Sequence, residues 1–108
     1  MERIRRTGEY RRVYDKGTKL HGRHLLLFVT DPEGPCLRVG ITVSGKVGGA
    51  CVRNKAKRRI REALRLELAE KADMAPLDMV FVAKGGIRAA TFDEIQKDIR
   101  TLLNKAAR

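Results

Sequence analysis

Apolar residues recur at helical spacing in three parts of the chain. In "TFDEIQKDIRTLLNKA" (91–106), Phe92, Ile95, Ile99, Leu102 and Leu103 form one stripe. Thr91 is followed three residues on by Glu94, the spacing of a capping box, so a helix starts there. Val52, Ala56, Ile60, Ala63 and Leu64 share a second arc at about 100° per residue. It predicts a helix from near Arg53 to near Lys71. In "GEYRRVYDK", Tyr10, Val13 and Tyr14 fall at i, i+3 and i+4, on one side of a short helix. Thr7 is its candidate cap and Gly17 its stop.

Three other segments carry strand patterns. "HLLLFVT" (24–30) and "DMVFVAK" (78–84) are short apolar runs, as in strands covered on both faces. In "CLRVGITVS" (36–44), Val39, Ile41 and Val43 alternate with Arg38, Gly40, Thr42 and Ser44. One face of that strand is a core face. The other is small and polar, suited to the floor of a groove. "DPEGP" (31–35) and "KGG" (84–86) are breakers inside one domain. The order is helix, strands, helix, strand, helix: an α+β (α/β sandwich) fold with few strands, one domain over residues 1–108. No repeat or low-complexity linker interrupts it.

The polar side of the second helix changes the picture. Asn54, Lys57, Arg58, Arg61 and Arg65 gather opposite the apolar arc, and no acid lies within theirs. Like charges at helical spacing repel by a few tenths of a kcal/mol per pair, so an external anion is expected to relieve them. The net charge of +11 is uneven in the same way. Residues 1–24 hold eight basic and three acidic residues, 46–65 eight and one, and 66–108 seven of each. Such concentration favours a polyanion, nucleic acid or an anionic membrane, over a general basic surface. No apolar run approaches the roughly 20 residues of a membrane span. "MERIRRTGEY" lacks the apolar stretch of a signal peptide. The expectation is a cytoplasmic chain with no membrane partner, whose Cys36 and Cys51 are free thiols.

Candidate chemistry is sparse. His21 and His24 with the two cysteines match no usual zinc spacing. There is no nucleophile elbow and no P-loop, and the glycines of "SGKVGG" lack the P-loop order. They fit either a backbone approach to phosphate or a tight strand-to-helix crossing. The acids lie mostly in the C-terminal half, away from the basic segments, which lowers the case for a self-sufficient metal nuclease. No catalytic residue and no protein-held metal is assigned. Basic residues with a few aromatics do suit single-stranded nucleic acid, because bases stack on rings at about 1–3 kcal/mol each. Tyr10, Tyr14 and Phe28 are either such a platform or core residues.

"SGKVGGACVRNKAKRRIREALR" resembles the signature of the bacterial ribonuclease P protein component, Ser-Lys-Lys-x-Gly-x-Ala-Val-x-Arg-Asn-Arg-x-Lys-Arg-x-x-Arg-Glu. Ser44, Lys46, Gly48, Ala50, Arg53, Asn54, Lys57, Arg58, Arg61 and Glu62 stand at its places. "EYRRVYDKG" is similar to the family's first helix, "LRVGITVS" to its RxGxxVS strand and "LDMVFVAKGG" to its late strand, so the likeness spans nearly the whole chain.

The resemblance implies a subunit of the ribonucleoprotein endonuclease that removes the 5′ leader from precursor tRNA. The catalyst is its RNA, using Mg2+ held mainly by that RNA. It implies an αβββαβα topology: a four-stranded, mostly antiparallel sheet with a left-handed βαβ crossover, against the usual hand. The fourth strand would lie around Thr18–Gly22. The partners implied are the catalytic RNA and the precursor's leader, with no obligate protein partner. The RNA-binding set would be Arg53, Asn54, Lys55, Lys57, Arg58, Arg61 and Arg65, with Ser44 and Lys46 before the helix. The leader cleft would hold Tyr10, Tyr14, Phe28 and Arg11. Gly45 stands where the family has the first Lys of a pair. Lys55 replaces an Arg, keeping charge without the bidentate fork, and Leu64 replaces a frequent Phe. The rival is another basic RNA-binding module, a ribosomal protein or RNA chaperone; the motif from Ser44 to Glu62 favours ribonuclease P.

Overall fold

The computed structural model describes residues 2–71 and 73–107. The elements are β1 (Glu2–Arg3), α1 (Thr7–Lys16), β2 (Thr18–His21), β3 (Leu25–Thr30), β4 (Arg38–Thr42), α2 (Ala50–Ala69), β5 (Asp78–Ala83), a 3-10 helix (Gly85–Ala89) and α3 (Phe92–Ala106). The strands form one sheet in the order β1-β4-β5-β3-β2. The α+β class and the short strand after α1 agree with expectation.

Two details do not. The sheet has five strands, because Glu2–Arg3 pairs parallel with Arg38–Val39. Its pairs divide evenly: β2–β3 and β3–β5 are antiparallel, β1–β4 and β4–β5 parallel. A two-residue strand leaves no period to read, which is why β1 escapes the pattern.

Strand alternation sorts the sheet into two faces. Leu25, Leu27, Val39, Met79 and Phe81 pack with Ile60, Ala63, Leu64, Ile95, Ile99, Leu102 and Leu103 in the main core, beneath α2 and α3. On the other face Val80 packs with Val13 and Ile4, with Tyr10, Tyr14, Phe28 and Val82 at the margin. α1 covers that face.

The helix starts show what the pattern could and could not fix. α3 has its capping box: Thr91 Oγ1 accepts from Glu94 N at 3.2 Å, and Glu94 Oε1 accepts from Thr91 N at 2.9 Å. α1 begins with Thr7 inside the helix after Arg6, and no side chain caps it. α2 starts at Ala50, ahead of Arg53, with Gly49 before it and no side-chain cap. Small residues without a capping side chain give no start signal, so the helix begins ahead of the start its apolar spacing predicts.

Two buried carboxylates tie elements together. Asp98 of α3 accepts from the backbone amides of Arg23, His24 and Leu25 at 2.8, 2.9 and 3.0 Å, fixing the entry to β3. Gly22 makes room, since a Cβ there would lie 2.6 Å from that carboxylate. Glu67 of α2 accepts from Gln96 Nε2 and Arg100 Nε, each at 2.9 Å, and joins α2 to α3. These bonds favour the ionised form and hold the Glu67 carboxyl below its usual range, with Arg100 the largest cause.

Candidate nucleic-acid interface

Val43 and Val47 are buried in the main core and pin the loop between β4 and α2. Ser44 and Lys46, beside them in sequence, are exposed. The crossing is close at Gly48, where a Cβ would stand 2.9 Å from the Val52 side chain. From there α2 turns Val52, Ala56, Ile60, Ala63 and Leu64 toward the sheet. Asn54, Lys55, Arg58 and Arg65 are exposed; Arg53, Lys57 and Arg61 are half-buried.

Among the described residues, no carboxylate lies within 4.0 Å of the charged groups of Arg53, Lys57, Arg58 or Arg61. Arg53 Nε is buried without a hydrogen-bond partner, a donor the fold itself leaves over. Asn54, Lys57, Arg58 and Arg61 line one shallow hollow with Cys51. This face is the cationic row expected from the sequence.

Arg65 differs from that expectation. Glu62 stands just beside the arc, and its carboxylate takes Arg65 Nη2 at 2.6 Å and Nε at 3.1 Å. The pair lowers the carboxyl's pKa and raises the guanidinium's, chiefly through that hydrogen bonding. Lys55 is set apart: it lines a different hollow with Arg59 and Arg88, on the flank nearest the 3-10 helix. Arg59 donates to the Ala90 carbonyl at 3.2 Å.

The three aromatics meet at the edge of α1. The Tyr10 and Tyr14 ring centroids are 6.4 Å apart, and Tyr14 meets Phe28 edge-to-face at 5.0 Å. The floor is the small, polar face of β4. A Cβ at Gly40 would sit 2.6 Å from Tyr10 Cε1, so glycine is what lets the ring lie there. Tyr14 Oη is 2.9 Å from Thr42 Oγ1. Lys19 Nζ lies 5.8 Å from the Phe28 ring centroid, within cation–π range. Burial raises the Tyr10 pKa, partly offset by the Ile41 backbone amide. All three rings are half-buried. They pack against Val13 and Val80 and keep part of their surface open.

Arg11 is exposed on α1. Its neighbour Arg12 turns inward to the buried carboxylate of Asp78 and pairs with Glu33 through Nε at 2.6 Å. Arg38 grips Asp78 with a fork, Nε to Oδ1 at 3.0 Å and Nη2 to Oδ2 at 2.7 Å. Its Nη1 reaches Glu9 at 2.5 Å. The Asp78 hydrogen bonds raise the Arg38 pKa and hold it charged. This network fastens α1 to β4 and β5.

Sequence reasoning did not bring two further cations beside α2. Arg3 and Arg5 line an open trough of about 550 Å³ with Lys57 and Arg61. The signal was the alternation Arg3-Ile4-Arg5, with Ile4 buried, too short to read by itself.

Fold and site together define a polyanion-binding α/β protein: a cationic helix face, whose Arg53, Lys57, Arg58 and Arg61 find no carboxylate partner among the described residues, beside an aromatic-edged cleft. A ribonuclease P family model matches residues 1–107. The ribonuclease P protein component of Clostridioides difficile is 35% identical over 102 residues, 94% of this chain and 89% of that one. That of Chloroflexus aurantiacus is 41% identical over 105 residues, 96% and 76%. The Staphylococcus aureus RNase P protein superposes with a TM-score of 0.86 at 30% identity, over 98% of this chain and 95% of that one. The Thermotoga maritima RNase P protein, at 24% identity, a TM-score of 0.82 and coverage of 97% of each chain, shares the fold. The chain belongs to the ribonuclease P protein family, as a subunit of an RNA-binding endoribonuclease complex that acts in tRNA processing. No helix among the described residues is long and apolar enough to cross a membrane.

Proposed function

We propose that the chain grips ribonuclease P RNA with the outer face of α2 and holds the single-stranded 5′ leader of precursor tRNA in the cleft beside α1. In this reading the RNA subunit cleaves, and the protein positions the substrate. The observation that carries it is the row Arg53, Lys57, Arg58 and Arg61, which finds no carboxylate within 4.0 Å among the described residues. Phosphates would complete it, with counterions released on binding. Tyr10, Tyr14 and Phe28 offer ring surface to unpaired bases of the leader.

Magnesium belongs to the RNA in this reading. The buried carboxylates of the chain fit that division, because each already has protein donors. Asp78 faces Arg12 and Arg38, Asp98 three backbone amides, and Glu67 Arg100 and Gln96. When bound to the RNA, magnesium would supply charge stabilisation and an activated water. The chain's own part is to hold and orient RNA. The compartment proposed is the cytoplasm.

Reconstitution tests the division of labour. Purified chain with magnesium should leave precursor tRNA intact. Adding the chain to ribonuclease P RNA should raise cleavage at low magnesium. Robust cleavage by the protein alone would falsify the roles assigned, and no effect on the RNA's activity would remove the reading altogether.

A further inference from the structure

β1 is anchored firmly for so short a strand. Glu2 N donates to Leu37 O at 2.9 Å and Ile4 N to Val39 O at 3.0 Å, and Ile4 is buried. Strand alternation then decides where the flanking arginines go. Arg3 is in register with Val39, whose side chain faces α2. Arg5 lines the same trough. Across from them, Lys57 and Arg61 lie one helical turn apart on the near flank of α2. Between them lie Val39, Ile41 and Leu64, and Tyr10 and Gly40 join the trough to the aromatic cleft. Among the described residues no acid lines the trough, and no carboxylate lies within 4.0 Å of these four cations. Two cations on each wall of an open channel, brought together from more than 50 positions apart in the sequence, match a ligand with a line of negative charge.

We propose that this trough, on the α2 side of the sheet edge, is a track for one RNA sugar–phosphate strand, clamped between Arg3/Arg5 and Lys57/Arg61. The inference rests on the reading of the chain as an RNA-holding subunit, and assigns a binding role to the N-terminal strand. The strand could come from the catalytic RNA or from the precursor's leader; the chemistry of recognition is the same.

The test is the salt dependence of binding by the full-length chain. One arm measures binding to ribonuclease P RNA, the other measures binding of precursor tRNA, with and without its leader, to the assembled particle. R3A/R5A should lower the slope of log affinity against log salt by about two, one per lost phosphate contact. R3K/R5K should restore it. A fall in the first arm assigns the strand to the catalytic RNA; a fall only with leader-bearing precursor assigns it to the leader. R88A/K97A removes the same charge elsewhere and should leave both slopes nearly unchanged. An unchanged slope for R3A/R5A in both arms, or one matched by R88A/K97A, overturns the track. If K57A/R61A alters the slope while R3A/R5A does not, the α2 reading stands and the track falls. If neither pair alters it, the RNA-holding reading falls with the track.

Discussion

Arginine meets two different fates on the two sides of this sheet. Beneath α1, Arg12 and Arg38 close around the buried carboxylate of Asp78, with Glu9 and Glu33 completing the network. On α2, Arg53, Arg58 and Arg61 have no carboxylate within 4.0 Å among the described residues. Arg12 lies in the first basic segment and the α2 group in the second, whereas Arg38 stands outside both, and all of them count toward the net charge of +11. A count of cations therefore overstates the RNA-binding surface. What separates the groups is the supply of internal counterions: the first holds the fold together and the second is left for an external anion.

The sharpest way to break this comparison is to remove a member of the paired group. Arg38→Ala leaves the Asp78 carboxylate buried with Arg12 as its remaining guanidinium partner. Breaking a buried pair costs about 3–5 kcal/mol; with Arg12 still present, about 3 kcal/mol is expected in urea unfolding. Under conditions where the variant stays folded, the salt slope of its RNA binding should match the parent's. A loss below about 0.5 kcal/mol, the level of an ordinary surface change, would place Arg38 with the open cations instead.

The next effect falls on the cleft that the network positions. Tyr10→Ala with Tyr14→Ala should weaken binding of leader-bearing precursor more than of mature tRNA. A difference of about 1–3 kcal/mol per stacked base is expected. Equal weakening of both substrates would make the rings core residues only. Gly40→Ala probes the same place more gently, because the new Cβ would collide with the Tyr10 ring. Displacing the ring from its half-buried seat should bring its raised pKa back toward the ordinary tyrosine value. The chain has two tyrosines and no tryptophan, so phenolate absorbance reports on this cleft directly. An unchanged titration curve would mean that β4 yields and Tyr10 stays seated.

The two regions also differ in how far they could be read from the sequence. The open face is local: Asn54, Lys57, Arg58 and Arg61 are neighbours by helical spacing, and a helical wheel finds them. The ribonuclease P resemblance rests on the same stretch. The closed network is not local. Arg12 and Asp78 are 66 positions apart, and nothing in "YRRVYDK" says that Arg12 turns inward while Arg11 stays exposed. The same holds for Asp98 and Glu67, which a periodicity reading treats as ordinary surface acids and the fold buries as acceptors. β1 was illegible for a different reason. Its two residues pair with β4 through a register that only the folded sheet defines, so the trough walled by Arg3 and Arg5 could not be assembled from spacing.

The smallest expected effect lies at the boundary between the two fates. Arg65 sits at the end of the cationic row but is held by Glu62 in an exposed i, i+3 pair. Exposed pairs are weak and screened by salt, so a phosphate could compete for Arg65 at some loss. Glu62→Gln removes the competing charge and keeps the shape. It should raise RNA affinity at low salt and steepen the salt slope by up to about one counterion, with little change in unfolding. Arg65→Ala in the Glu62→Gln background should reverse that gain. If Glu62→Gln leaves the slope as it was, Arg65 points away from the RNA and the gripping face ends at Arg61. If it steepens the slope, Glu62 is a brake on the row, and the two fates of arginine grade into each other along a single helix.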